Sequence, residues 1–159
     1  MMKPTVYIET TIVSYLTAWP SRDIIRLSHE MITREWWDTR RAGFDLFISE
    51  FVLDEASRGD PTAAKQRLEK LANMTLLHAN PEAMQLSQRL EVALQLPARA
   101  RIDAAHLAVA AVHGVAFLLT WNCTHLANGM LADKIEETCR QAGFKAPRIL
   151  TPIQLMEQQ

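Results

Sequence analysis

The chain has 159 residues, 48% hydrophobic and 22% charged, which fits one globular domain and excludes the low-hydrophobicity regime of disordered chains. A formal net charge of −1 excludes whole-molecule attraction to a polyanion, so contact with a nucleic acid must rely on a local basic rim and a bound cation. Two cysteines, Cys123 and Cys139, are too few for a disulfide framework and predict reduced thiols.

Thr5 to Ile8 is a β-branched and aromatic run, a predicted first strand that ends at Glu9. Thr10 to Leu16 reads as a short helix. A longer one follows Pro20-Ser21, from Arg22 to Arg41, with Ile24, Leu27, Ile32 and Trp36 on its apolar side. Gly43 stands where a left-handed C-terminal cap belongs, and Phe44 to Ile48 is the second strand. Ser49 caps a helix running to Arg58 and closed by Gly59, and Pro61 opens another to Ala72.

Met74 to His78 is a third strand, and Asn80-Pro81 starts a helix to Leu94. Pro97 leads into the helix Ile102 to His113, stopped at Gly114. Val115 to Thr120 is apolar in the manner of a strand at the middle of a parallel sheet. Ala132 to Gln141 is helical, Gly143 ends it, Arg148 to Leu150 is a last strand, and Thr151-Pro152 opens a terminal helix.

Strands alternating with helices predict an α/β domain over residues 1–159, with parallel strands, right-handed crossovers and helices on both faces of the sheet. Sites in such sheets lie beyond the carboxyl ends of the strands. Four of the five glycines fall at helix ends, leaving none for a phosphate-binding glycine loop. The longest apolar runs, such as Val115 to Leu119, are far short of the ~20 residues that span a bilayer. Glu9 interrupts the early apolar stretch and no cleavage site follows it, so the expectation is a cytoplasmic protein. A zinc site from Cys123, His125 and Cys139 matches no usual finger spacing and lacks a fourth ligand.

Three acids occupy the positions that the topology marks. Glu9 leaves the first strand beside Thr10 and Thr11, whose hydroxyls suit helix capping or a bound water. Glu55 shares the inward side of its helix with Val52 and Ala56 at i, i+3 and i+4, while Asp54 points elsewhere. Asp103 stands in the first turn of its helix, where an acid also interacts favourably with the helix dipole. His106, one turn on, is expected to pack or to bridge to solvent rather than to act as a base. Asn122 closes the run Leu118-Leu-Thr-Trp-Asn122, as a metal-orienting amide or an Asx turn; His125 and Asn128, in the same loop, are expected at a turn and the surface. Two carboxylates about 4 Å apart repel by roughly 4 kcal/mol at an effective dielectric of 20. A cluster of them therefore calls for protons or a hard divalent cation.

At these residues the sequence resembles the PIN-domain family, in particular the VapC-like ribonuclease toxins. Val6-Tyr-Ile-Glu-Thr-Thr11 looks like the opening strand with its acid and hydroxyl signature. Phe51-Val-Leu-Asp-Glu-Ala56, Ile102-Asp-Ala-Ala-His-Leu-Ala108 and Leu118-Leu-Thr-Trp-Asn122 are similar to the second, third and fourth motifs. The resemblance implies a compact α/β/α sandwich with a central parallel sheet of four to five strands. It also implies metal-dependent hydrolysis of RNA, homodimers and a small antitoxin partner. On this reading Glu9, Glu55 and Asp103 hold Mg²⁺ or Mn²⁺, and Asn122, Thr10, Thr11 and Thr120 position its hydration shell. Arg22, Arg26 or Arg58 would guide the substrate backbone.

Two departures stand out. The family's first acid is Asp, and Glu9 is longer by roughly 1.5 Å, a misplacement that can lower a rate about 100-fold. Asn122 replaces the usual fourth acid. Competing readings are a PIN-like domain that binds RNA or a protein without cleaving, and a scaffold whose Trp36-Trp37 pair forms an interface.

Overall fold

The computed structural model describes residues 2–157, so Met1, Gln158 and Gln159 of the predicted 1–159 domain lie outside the described residues. In chain order the elements are β1 (Thr5–Ile8), α1 (Thr10–Thr17), α2 (Ile24–Thr39), β2 (Asp45–Ser49), α3 (Glu50–Ala56), α4 (Pro61–Leu71) and β3 (Thr75–Leu77). There follow α5 (Pro81–Ala93), α6 (Arg101–Val112), β4 (Phe117–Leu119), α7 (Ala132–Gln141), β5 (Arg148–Leu150) and α8 (Pro152–Glu157). Short 3₁₀ turns at Arg41–Gly43 and Ala98–Ala100 precede β2 and α6.

All five strands are parallel, in the order β3-β2-β1-β4-β5. The chain starts at the centre, winds outward to β3, then returns to the far side of β1. That reversal makes a switch point between β1 and β4, where side chains past the strand ends face a common crevice. β1 can sit at the centre because Val6, Tyr7 and Ile8 are all fully buried. β4, with Leu118 and Leu119 buried, lies inside the sheet between β1 and β5. Each fully buried aliphatic side chain contributes roughly 1.5–3 kcal/mol.

The helices gather in two groups, α1 with α2, α3 and α4, and α5 with α6 and α7, giving the α/β/α architecture expected. Past Arg101 and Asp103 in its first turn, α6 is apolar except for His106 and buries every residue from Ala104 to Ala111. A helix hydrophobic all round belongs inside the protein, and anything polar on it must find a partner there. Among the described residues no helix is long and apolar enough to cross a membrane.

Several expectations are corrected. α2 begins at Ile24 rather than Arg22, because Asp23 caps it by accepting the Arg26 N–H. Ile24 is exposed, and the buried face of α2 is Glu30, Thr33, Trp36 and Trp37. Glu30 faces inward because its carboxylate accepts the Ser21 N–H at 2.9 Å, fastening the loop between α1 and α2. Gly43 adopts no left-handed backbone and belongs to the 3₁₀ turn, whereas Gly114 at φ +69° and Gly143 at φ +89° do stop helices in that way. α3 ends at Ala56, short of Arg58. Trp36 and Trp37 are core residues, with Phe44 against Trp36 and Arg41 over the Trp37 ring.

Candidate active site

Glu9 is the residue between β1 and α1, and it serves as the N-cap of α1. Its Oε2 accepts the Thr11 N–H at 3.1 Å, and its Oε1 accepts the Thr11 and Thr120 hydroxyls at 2.5 Å each. Thr120 directly follows β4, so the two strands of the switch point are joined by this bond as well as by the Glu9 N–H to Leu119 carbonyl bond. Only 4% of Glu9 is exposed. A carboxylate buried that deeply is held by charge-assisted hydrogen bonds in place of water.

Glu55 reaches the same place from α3, whose start is fixed by Ser49 accepting the Phe51 N–H. Glu55 Oε1 accepts the Thr10 hydroxyl at 2.6 Å and lies 2.6 Å from His106 Nε2 on α6. Burial raises the Glu55 pKa. The hydrogen bond and charge of His106, the Thr10 hydroxyl and the Arg58 charge outweigh it, and the carboxyl titrates below its ordinary value of 4.5. Glu9, Glu55 and His106 each offer a ligand atom, and these atoms lie within 4.8 Å of one another.

His106 is 1% exposed. Its second ring nitrogen, Nδ1, is 2.6 Å from the Tyr7 hydroxyl, which lies 2.7 Å from Ser49 Oγ. Burial pushes the Tyr7 pKa far above its usual value, so the phenol stays protonated. His106 is thus packed, as expected, but it also lines the carboxylate pocket. Its signal in the sequence was a lone imidazole three residues beyond Asp103 on an otherwise apolar helix face.

That spacing also puts Asp103 beside His106. Among the described residues it is outside the tight three-residue set, and its Oδ2 is 3.0 Å from His125 Nδ1. His125 is therefore no plain surface residue. Asn122 forms the Asx turn: its Oδ1 accepts the Thr124 and His125 N–H groups at 3.2 and 3.0 Å, while its own N–H donates to Thr120 Oγ1 at 2.9 Å. Asp103, His125, Asn122, Thr120 and Glu9 form one hydrogen-bonded chain around the pocket. Thr10, Thr11 and Thr120 orient the two glutamates.

The arginines are more peripheral. Arg22 is exposed. Arg26 lies over the Tyr15 ring, 4.8 Å from its centroid, beside the stacked His29 and Trp121 rings. Arg58 pairs with Asp54 on the exposed side of α3, close enough to Glu55 for its charge to be felt there. Cys123 is exposed and Cys139 is buried, its thiol pushed up to about 11 by that burial. Neither belongs to a metal-capable group among the described residues.

The donor set suits a divalent cation. Two carboxylates and an imidazole converge there, Glu9 and His106 buried and Glu55 partly exposed, with a third carboxylate nearby, and hard or borderline divalent ions take such ligands. A cavity of about 840 Å³ lies elsewhere, between α7 and β5, lined by residues such as Leu126, Ile135, Phe144 and Leu150.

No protein-family model and no curated protein sequence matches the chain. Solved structures do. VapBC2 from Rickettsia felis, in a structure with a DNA fragment from their promoter, aligns with a TM-score of 0.59 at 13% identity over 92% of this chain and 98% of that one. VapC20 from Mycobacterium tuberculosis, described as a Sarcin-Ricin loop cleaving toxin, aligns with a TM-score of 0.59 at 16% identity over 78% of this chain and 95% of that one. Five parallel strands in this order, the carboxylates at their switch point and these two likenesses lead to one conclusion: the chain has the VapC-like PIN-domain fold.

Proposed function

We propose that this chain, as one domain over residues 1–159, is a divalent-metal-dependent endoribonuclease and the toxin of a toxin–antitoxin pair. The observation that carries the reading is the meeting of the Glu9 and Glu55 carboxylates in one pocket at the switch point. Two negative charges brought this close repel one another, and in a phosphodiester hydrolase a bound metal offsets that repulsion. The description of VapC20 as a Sarcin-Ricin loop cleaving toxin supports the choice of RNA as substrate. The pairing named in VapBC2 supports a small antitoxin as partner.

Glu9 and Glu55 hold Mg²⁺ or Mn²⁺, and Asp103 takes part directly or through water. The bound ion supplies Lewis acidity toward a water molecule and the scissile phosphate. Thr11 and Thr120 keep the Glu9 carboxylate aimed into the pocket, Thr10 does the same for Glu55, and Asn122 orders the loop that carries His125. Arg22, Arg26 and Arg58 meet the RNA backbone around the pocket. The protein acts in the cytoplasm, as a homodimer.

The test is incubation of end-labelled structured RNAs with Mn²⁺, comparing the wild type with Glu9→Gln and Asp103→Asn. Both variants are expected to lose on the order of 100-fold in cleavage rate. Equal rates would instead support a PIN-like module that binds RNA or protein without cutting. That second reading draws on Asp103 and Asn122, whose polar atoms are engaged with His125 and the loop backbone.

A further inference from the structure

We propose that His106 is a direct ligand of the cation, through Nε2, and that this nitrogen makes the site select Mn²⁺ or a later first-row divalent ion over Mg²⁺. The inference rests on the metal-dependent reading of the pocket and adds to it the ligand that decides which metal enters.

Three observations carry it. The tight set at the pocket is Glu9, Glu55 and His106, whose ligand atoms lie within 4.8 Å of one another, while the Asp103 carboxylate is engaged by His125. Donors held about 2.1 Å from one ion lie at most about 4.2 Å apart, so side-chain shifts well below 1 Å close the set on a cation. The imidazole is also braced as metal-bound imidazoles are, with its other ring nitrogen hydrogen-bonded to a group that fixes the ring and its tautomer. Here that group is the Tyr7 hydroxyl, itself anchored on Ser49. Lastly, His106 lies within the continuously buried stretch of α6 from Ala104 to Ala111 and is itself almost completely buried, so the ring has no solvent-facing alternative.

The tautomers are consistent with this. In the tautomer that carries its proton on Nε2, Nε2–H donates to Glu55 Oε1 and the Tyr7 O–H donates to Nδ1. With a cation on Nε2, the ring's single proton is on Nδ1 and is donated to the Tyr7 oxygen, and the Tyr7 O–H turns to Ser49 Oγ. Between the two tautomers the ring proton passes from Nε2 to Nδ1 and the Tyr7 hydroxyl reverses its direction.

An imidazole nitrogen adds little for Mg²⁺, which takes oxygen ligands and keeps its waters, but strengthens binding along the series from Mn²⁺ upward. The experiment needs no RNA. Mn²⁺ is bound to the wild-type protein and examined by pulsed electron paramagnetic resonance, with and without ¹⁵N-labelled histidine. The expected result is a directly coordinated nitrogen whose signal changes isotope with the label and vanishes in His106→Asn. By titration, Tyr7→Phe, which retains the buried ring, is expected to weaken Mn²⁺ binding about tenfold, and to change Mg²⁺ binding less than about threefold. Mn²⁺ bound without histidine nitrogen overturns this proposal and leaves metal-dependent hydrolysis standing. No Mn²⁺ or Mg²⁺ binding at all overturns both. Nitrogen coordination in a protein that cuts no RNA sustains the ligand and overturns only the nuclease reading.

Discussion

The cavity between α7 and β5 and the pocket at the ends of β1, β2 and β4 are built from opposite materials. The cavity has the room, about 840 Å³, and its walls are largely apolar. Arg140 on its border is tied to Glu137, and Arg148 lies over the Phe117 ring, so these charges are settled locally. At the pocket, two carboxylates and an imidazole from three different elements come together. Volume is a fair first guide to a binding site, but reaction chemistry follows convergent charge. Such charge is found here where the strand order reverses.

The comparison breaks most visibly if the cavity proves to matter for cleavage. Glu55→Gln is expected to lower RNA cleavage in Mn²⁺ on the order of 100-fold. Lys145→Ala, on the cavity wall, should leave the rate within about twofold, the scatter of a surface change remote from the reacting groups. Rates measured side by side on one labelled RNA decide this. Equal losses in both variants would move the substrate path to the α7–β5 side.

A middle-sized effect concerns how the pocket is held together without substrate. The Thr120 hydroxyl, fully buried, donates to Glu9 Oε1 and also accepts the Asn122 N–H. Thr120→Val keeps the shape and removes both bonds, leaving a buried carboxylate short of a donor. Urea unfolding should show a loss of about 1–3 kcal/mol. An unchanged midpoint would mean that water takes over the vacated bond, and that the pocket is wetter than its burial indicates.

Much of this architecture was legible in advance, and the failures have definite causes. β1, β5 and α7 fall on their expected residues because a β-branched run and a bounded amphipathic stretch are local signals. Glu9 and Glu55 were legible for the same reason, one from its strand exit and the other from helix spacing. Ile24 is exposed, against its helical spacing, because periodicity cannot tell that Glu30 has the Ser21 N–H to bind and turns inward. Gly43 forms no left-handed cap because the chain enters β2 through a 3₁₀ turn. The double role of His106 depends on Tyr7, Ser49 and Glu55, which are distant in the chain, and no local pattern announces such a meeting.

The smallest expected effect separates two neighbours on α3. Asp54 is exposed and pairs with Arg58 across one helical turn, an arrangement worth about 0.3–0.5 kcal/mol. Glu55, one residue on, is largely buried against Thr10 and His106. Because its folded pKa lies below the ordinary 4.5, the unfolded chain takes up the proton first as the medium turns acid. The stability that comes from the shift is complete above the unfolded value and is lost as pH falls through the folded one. In chelator-treated protein, the stability gap between wild type and Glu55→Gln should therefore be widest above about 4.5 and shrink below it. Asp54→Asn should stay within about 0.5 kcal/mol of wild type across the same range. A Glu55→Gln gap that is flat through this window would mean that the carboxyl is not preferentially ionised in the folded pocket. Glu9 and Glu55 would then stand side by side without calling for a counter-charge.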